Sequence, residues 1–359
     1  MVARVGDDGW LSDAMSTARG LLEASAGQQE WTTTTLTGTG GGTFGDSVVS
    51  RFRSAEGTAV VKIVKRNAAA PDNPLSWRRE LDLYRSEWLR DTMPSGLHLP
   101  ECLGAAMTDD ASVIVVADVP FDDPSARDVD WYRDLAAELA RLNGTVLDAR
   151  SVPPWASRGF VEYETAGAAA AIPDTVQNRA TEIADVIDAW GPLLERVAPA
   201  GTRLVEALRS FPTGLHHLDA FSRNVARVGD DFVMVDWAYT GLAPIGCDAA
   251  SLIAITAIMR EVPGGLLGEL HDAVTEGYGA GLASVGAGLP AEELDLAIDL
   301  ALTLRFARFA TQLHGLGNDA NSVVEAATGR PLGEVAIAWA ALAEHLAPSA
   351  ERSLASVGG

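Results

Sequence analysis

Apolar residues recur at helical spacing over residues 9–26, with Ser12 or Asp13 placed to cap the helix, and the period then changes. Residues 31–37 are rich in β-branched threonine, residues 38–45 read Gly-Thr-Gly-Gly-Gly-Thr-Phe-Gly, and residues 47–53 alternate. A turn at Glu56-Gly57 leads to a third strand candidate over 58–65, Thr-Ala-Val-Val-Lys-Ile-Val-Lys. Strand, glycine loop, strand, turn and strand make an antiparallel meander. Beyond a Pro-rich loop at 70–74, residues 75–90 set Trp77, Leu81, Tyr84 and Trp88 along one stripe and predict a helix. Strand candidates at 101–107 and 112–117 complete a βββαββ unit. From residue 131 the period is helical over 131–147, 175–210, 247–260, 265–284, 291–316 and 321–346, broken by short strand candidates at 213–217, 225–228 and 232–236. The pattern predicts an α+β chain in three parts. A helical extension spans 1–30, a small antiparallel β lobe with one main helix spans 31–117, and a larger, mostly helical lobe spans 118–359.

Charge narrows the function classes. The 359 residues include 27 Lys and Arg against 49 Asp and Glu, a formal net charge of −22. Nonspecific nucleic-acid binding requires Lys and Arg clustered on phosphates, and the chain has no basic stripe, so nucleic acid is excluded as a partner. Two cysteines, Cys102 and Cys247, are too few for a disulfide framework, and no Cys/His cluster suggests zinc. No apolar run reaches the ~18 residues of a membrane span and the N-terminus lacks a signal-peptide core, which points to a cytoplasmic protein. The acidity is uneven: residues 1–117 are net −4 and residues 118–359 net −18. Such a field would concentrate a cationic small molecule, although acidity can also serve solubility alone.

The basic residues are uneven too, with 25 Arg and only two Lys, Lys62 and Lys65. Period-two alternation puts Val60, Lys62 and Val64 on one face of the strand, and Val61, Ile63 and Lys65 on the other. A charge in mid-strand among apolar neighbours is costly unless an anion pairs with it or its stem snorkels to water. Lys65, near the strand end, reads as solvated.

The densest chemistry lies in Gly214-Leu-His-His-Leu-Asp-Ala-Phe-Ser-Arg-Asn224, followed by Asp231-Phe-Val-Met-Val-Asp-Trp-Ala238. It contains His217-x-Asp219-x-x-x-x-Asn224 and then a hydrophobic strand ending in Asp236. Phosphoryl transfer from a nucleotide needs a carboxylate to orient the attacking hydroxyl and further oxygen ligands for Mg²⁺. A short loop carrying Asp219 and Asn224 beside a strand that ends in Asp236 supplies all three. Singly, each of these residues also suits a turn or a hairpin end.

With these motifs the chain resembles the aminoglycoside phosphotransferase and choline kinase superfamily, which has the bilobal protein-kinase-like fold. The resemblance covers about residues 31–315 and is greatest to phosphotransferases of Arg- and Ala-rich bacterial proteomes. It implies that Asp219 is the catalytic base, that Asn224 and Asp236 bind Mg²⁺, and that His217 and Asp248 brace the loop. It implies further that Lys62 holds the nucleotide phosphates and pairs with Glu80, Glu87 being the weaker partner. Gly40, Gly41, Gly42 and Thr43 would cover the triphosphate, and the backbone of Ala117 and Val119 would bind the base. Family members often carry Glu-Asp in that hinge where this chain has Ala117-Asp118, which keeps both ATP and GTP open. Leu218 stands where Gly is common, and Arg223 either contacts phosphate or substrate or points outward. Acceptor-cleft candidates are Asp122, Asp123, Glu162, Glu164, Arg305, His314 and Asp319. The implied activity is transfer of the γ-phosphate to a hydroxyl of an amine-bearing small molecule, such as an aminoglycoside, amino sugar or choline-like amine. The alternatives are a Ser/Thr kinase acting on a peptide and a nucleotide-binding scaffold without turnover, and the complete set of motif residues argues against the scaffold.

Overall fold

The computed structural model of the chain describes all residues except 1–8, 37–46, 124–126, 148–150, 164–180, 317–321, 323, 326–327 and 359, with 181–190 and 308–316 as backbone only. In chain order, helix α1 (Gly9–Ala26) precedes strands β1 (Thr32–Thr35), β2 (Ser47–Arg53) and β3 (Thr58–Lys65). Helices α2 (Arg79–Arg85) and α3 (Trp88–Thr92) follow, then strands β4 (Leu97–His98), β5 (Cys102–Met107) and β6 (Ala111–Ala117). These strands except β4 form one antiparallel sheet in the order β1-β2-β3-β6-β5.

The two faces of β3 divide as alternation requires. Ala59, Val61 and Ile63 are buried against Ala14, Ala18 and Leu22 of α1, so the helix closes the outer face of the sheet. Lys65 lies on that side too, its Nζ 5.4 Å from the ring centre of Trp10. Lys62, paired across the sheet with Val49 and Ile114, projects from the opposite face.

The single helix expected over 75–90 is two. Ser86 takes an extended conformation (φ −95°, ψ 128°), and its Oγ accepts the N–H of Trp88 at 3.3 Å, so α2 stops and α3 restarts. A serine side chain that bonds nearby backbone competes with helix continuation in this way.

Helix α4 (Val129–Thr145) opens the helical part, capped by Asp128, whose carboxylate accepts the N–H of Trp131 at 2.9 Å. Then come α5 (Thr181–Arg209), β7 (Thr213–His216), β8 (Val225–Val228), β9 (Asp231–Met234) and β10 (Gly241–Pro244). Helices α6 (Cys247–Ile258), α7 (Leu267–Ser284), α8 (Ala291–Leu316) and α9 (Leu332–Val357) complete the chain. Gly277 lets α7 press against α4, since a Cβ there would sit 2.1 Å from the carbonyl oxygen of Arg133. The helix expected over 321–346 is broken at 329–331, after helical residues at 322, 324, 325 and 328, and resumes as the last helix. It starts after Pro331 and runs beyond Pro348, because Ala350 and Ser353 stay buried and Arg352 pairs with Asp299 of α8 at 2.6 Å.

Two pairings concern the site. β7 and β10 are antiparallel and hold the two ends of the loop region together. β4, two residues long, pairs in parallel with β9 of the β8–β9 hairpin and joins the segment after α3 to the stretch that leads to Asp236. Neither β4 nor β10 is visible in the hydrophobic pattern, because each is too short to show a period.

Candidate active site

The loop after β7 is shaped by a buried carboxylate. Leu218 adopts a left-handed backbone (φ 67°), a conformation that favours glycine. Asp248, fully buried in the first turn of α6, holds it there: its Oδ2 accepts the N–H of His217 at 3.0 Å and its Oδ1 that of Leu218 at 2.8 Å. Asn143 of α4 donates to the same Oδ2 at 3.0 Å and to Leu215 O at 2.7 Å, and its own Oδ1 accepts the Tyr278 hydroxyl at 2.5 Å. Gly214 makes this approach feasible, as a Cβ there would fall 2.1 Å from Asn143 O. Asn143 and Tyr278 escaped the sequence reading. An Asn on the apolar face of the 131–147 pattern was the available signal for the first, and none marked the second.

Burial alone would raise the Asp248 carboxyl, but His216, His217 and Asn143 outweigh it and hold the pKa down to about 2. A folded-state value below the unfolded ~3.9 stabilises the protein above pH ~4, and the contribution, about 2 kcal/mol, is lost as pH falls from ~4 to ~2. Urea midpoints of Asp248→Asn measured across that window are expected to fall less steeply with acid than those of the parent. Equal slopes would remove Asp248 from the acid transition.

His217 is buried, and burial lowers its pKa despite the nearby carboxylates of Asp248 and Asp236. Its Nδ1 accepts the N–H of Asp219 at 3.3 Å and its Nε2 lies 3.1 Å from Val235 O, which assigns the proton to Nε2. The ring packs edge-on against Trp237 at 4.5 Å. His217 therefore ties the loop after β7 to the end of the β8–β9 hairpin.

Asp219 projects from this loop. Asn224 donates from Nδ2 to its backbone oxygen at 3.0 Å and its Oδ2 at 3.1 Å, while Arg305 of α8 brings Nη2 to 3.7 Å from Oδ1. Burial first, and then the charge of Asp236, push the Asp219 carboxyl up to about 7, with Arg305, Asn224 and Lys62 opposing.

From the sheet, Lys62 Nζ reaches Asp236 Oδ1 at 2.6 Å and Glu80 Oε2 at 2.7 Å. Burial alone would lower the lysine, and the two carboxylates more than reverse that and raise it above its ordinary value. Burial raises Glu80, while Lys62 holds Asp236 down against burial. Glu80 Oε1 also accepts the N–H of Trp237 at 3.2 Å. Asp236 itself sits in the left-handed region (φ 61°), and strain of this kind is typically stored at functional sites. Residues far apart in the chain, 62, 80, 219, 224 and 236, thus converge in one place.

Other candidates are placed differently. Ala117 spends its N–H on Glu101 O at 2.9 Å, so a base can meet it only at the carbonyl, and Asp118 is paired with Arg51 at 2.8 Å. The N–H of Val119 has no partner among the described residues. Glu87 is exposed at the start of α3. Arg223 is bonded to Glu261 at 2.9 Å, Glu162 pairs with Arg209, and Asp122 accepts the N–H of Arg227 at 3.4 Å. Asp123 lies near Arg127, whose guanidinium it helps keep charged. Gly40, Gly41, Gly42, Thr43, Glu164 and Asp319 lie outside the described residues, and His314 falls in the backbone-only part of α8.

The model of the phosphotransferase enzyme family matches residues 45–261, more than half of the chain. The chain belongs to that family. It is a phosphotransferase. No curated protein matches the sequence. Among solved structures, an amicoumacin kinase, hAmiN, in complex with AMP-PNP, Ca²⁺ and Ami is 13% identical, with 90% of this chain and 97% of that one covered and a TM-score of 0.55. A spectinomycin phosphotransferase in complex with ADP and spectinomycin is also 13% identical, covering 92% and 98% at a TM-score of 0.53. A choline/ethanolamine kinase family protein from Mesorhizobium loti is 17% identical, covering 96% and 99% at 0.53. At such identities the likeness establishes the kinase-like fold. Among the described residues of this phosphotransferase, no helix is long and apolar enough to cross a membrane.

Proposed function

We propose that the protein transfers the γ-phosphoryl group of ATP, bound with Mg²⁺, to a hydroxyl of a small amine-bearing molecule such as an amino sugar, an aminoglycoside or a choline-like alcohol. The observation that carries this reading is the convergence of Lys62, Glu80 and Asp236 beside the Asp219–Asn224 pair. In this reading residues 31–117 hold the nucleotide and 118–359 the acceptor, with α1 of the 1–30 extension backing the sheet.

The donor set suits Mg²⁺. That ion prefers one or two protein oxygens and completes its shell with phosphate and water. Asp236 keeps one carboxylate oxygen beyond the one on Lys62, and Asn224 uses only its amide nitrogen on Asp219. Among the described residues no three His, Cys, Asp or Glu cluster as a self-sufficient metal cage, which fits an ion shared with a nucleotide. When bound there, the ion would neutralise charge on the transferred phosphoryl group.

The chain's own groups supply the rest. Lys62 is held by two carboxylates in the position where phosphate oxygens arrive, and Glu80 fixes its direction. The Ala117 carbonyl and Val119 N–H face the base. Asp219, its Oδ2 oriented by Asn224, accepts the hydrogen bond of the acceptor hydroxyl and takes its proton as the oxygen attacks. The net −18 of residues 118–359 favours arrival of a cation.

ADP release from Mg·ATP over amino sugars, aminoglycosides, choline analogues and Ser/Thr peptides tests the proposal. Turnover with amine-bearing alcohols is expected. Turnover confined to peptides or to uncharged alcohols would overturn the acceptor class.

A further inference from the structure

Arg79 opens α2 next to Glu80, is fully buried, and has all five guanidinium hydrogens on backbone carbonyls. Nε donates to Trp155 O at 3.1 Å, Nη1 to Pro74 O and Ala238 O at 2.8 Å each, and Nη2 to Pro71 O at 3.2 Å and to Asn73 O. Three loops meet on one side chain: the connection after β3, the segment before the Ser157–Gly241 bridge, and the turn that follows Asp236. Burial pushes the guanidinium down to about 10, with Asp72 and Tyr239 opposing, so it is still a cation at neutral pH. A buried cation bonded only to neutral carbonyls is an expensive way to fasten loops, and an apolar side chain would pack the space at less cost. Its fork, unlike a lysine ammonium, satisfies five acceptors in fixed directions.

The arrangement of those acceptors gives the role. Adjacent residues of α2 take the turn after Asp236 from both polarities, Glu80 accepting the N–H of Trp237 and Arg79 donating to the carbonyl of Ala238. With Trp237 and Ala238 fixed, the strained Asp236 faces Lys62 and has little freedom to turn away. We infer that Arg79 is a positioning residue that locks the Asp236 turn to α2, so that the metal-and-phosphate end of the site is assembled before nucleotide binds. The inference rests on the reading of Asp236 as the metal ligand under Proposed function.

Calorimetric titration of ADP with and without Mg²⁺ tests it. The lysine variant Arg79→Lys keeps the charge and at most three donors. It is expected to lose at least about tenfold of the Mg²⁺-dependent gain in ADP affinity while metal-free ADP affinity changes less than about threefold. A folded Arg79→Lys with the parent's Mg²⁺ dependence would overturn the inference, since a residue serving stability alone would lower the melting temperature without moving that ratio. Asp236→Asn separates the two claims. If it also keeps the parent's Mg²⁺ dependence, the ligand assignment fails and the inference with it; if it loses the dependence and Arg79→Lys does not, the inference alone fails. Should Arg79→Lys not fold, hydrogen exchange of the parent protein decides. Mg·ADP is expected to slow amides at 237–240 together with those at 72–76 and 155–158, and slowing at 237–240 alone contradicts the lock.

Discussion

Asp219→Asn binds Mg·ATP within about threefold of the parent and transfers phosphate about 10³ times more slowly, within the range expected when a general base is removed. The substitution keeps the shape of the side chain and an oxygen for the Asn224 amide, so the loop gripped by His217 and Asp248 is not disturbed. What it removes is a carboxylate that can accept a proton. Burial and the charge of Asp236 set the Asp219 carboxyl near 7, a value suited to proton exchange at neutral pH. Steady-state rates with the acceptor found by screening, together with calorimetric ATP binding, check this expectation. Turnover near that of the parent would remove Asp219 as the base.

Lys62→Ala has the other large effect, and it acts on nucleotide binding and on stability together. Without the ammonium, Glu80 and Asp236 face each other with no cation between them, and removing one partner of a buried charge cluster costs about 3–5 kcal/mol. Asp236 is partly exposed, which moderates that figure, so a loss of about 2–3 kcal/mol in denaturant unfolding is expected. Nucleotide affinity is expected to fall about 100-fold, because in the proposed function the lysine supplies the charge that meets the phosphates. Lys65→Ala should change affinity less than about threefold, since Lys65 lies on the α1 side of the sheet over Trp10. Equal effects of the two substitutions would refute the division of the strand into two faces.

Much of this site was legible from residue type and period. Alternation alone separated Lys62 from Lys65, because one face of a strand is decided by register and β3 keeps its register from end to end. The order of His217, Asp219, Asn224 and Asp236 was legible because a loop and the adjoining hairpin deliver them within one short stretch of chain. The bond from Glu80 to Lys62 was anticipated only through the family resemblance, since nothing local connects a helix to a strand.

What escaped was set by tertiary contacts. The break at Ser86 depends on one hydroxyl that competes with the helix, which no apolar spacing signals. Helix α9 runs past the expected end with Arg352 paired to Asp299 of α8 and the Val357 carbonyl accepting from Arg203 of α5, so its true extent depends on its partners. Arg78 and Arg79 are neighbours of the same type in the sequence, yet Arg78 pairs locally with Asp82 while Arg79 is fully buried. Spacing cannot tell the two apart, because burial of a guanidinium is decided by whether carbonyls from distant loops arrive to meet it.

In the proposed function this cluster moves a phosphoryl group from nucleotide to alcohol. The most direct test of that transfer is to follow γ-labelled ATP with the acceptor identified by screening, for the parent and for Asp219→Asn. Label is expected in a phosphate ester of the acceptor in step with ADP release by the parent, and both about 10³ times more slowly with the variant. Label appearing only as free phosphate, or acceptor labelling by Asp219→Asn at near the parent's rate, would overturn the proposed transfer.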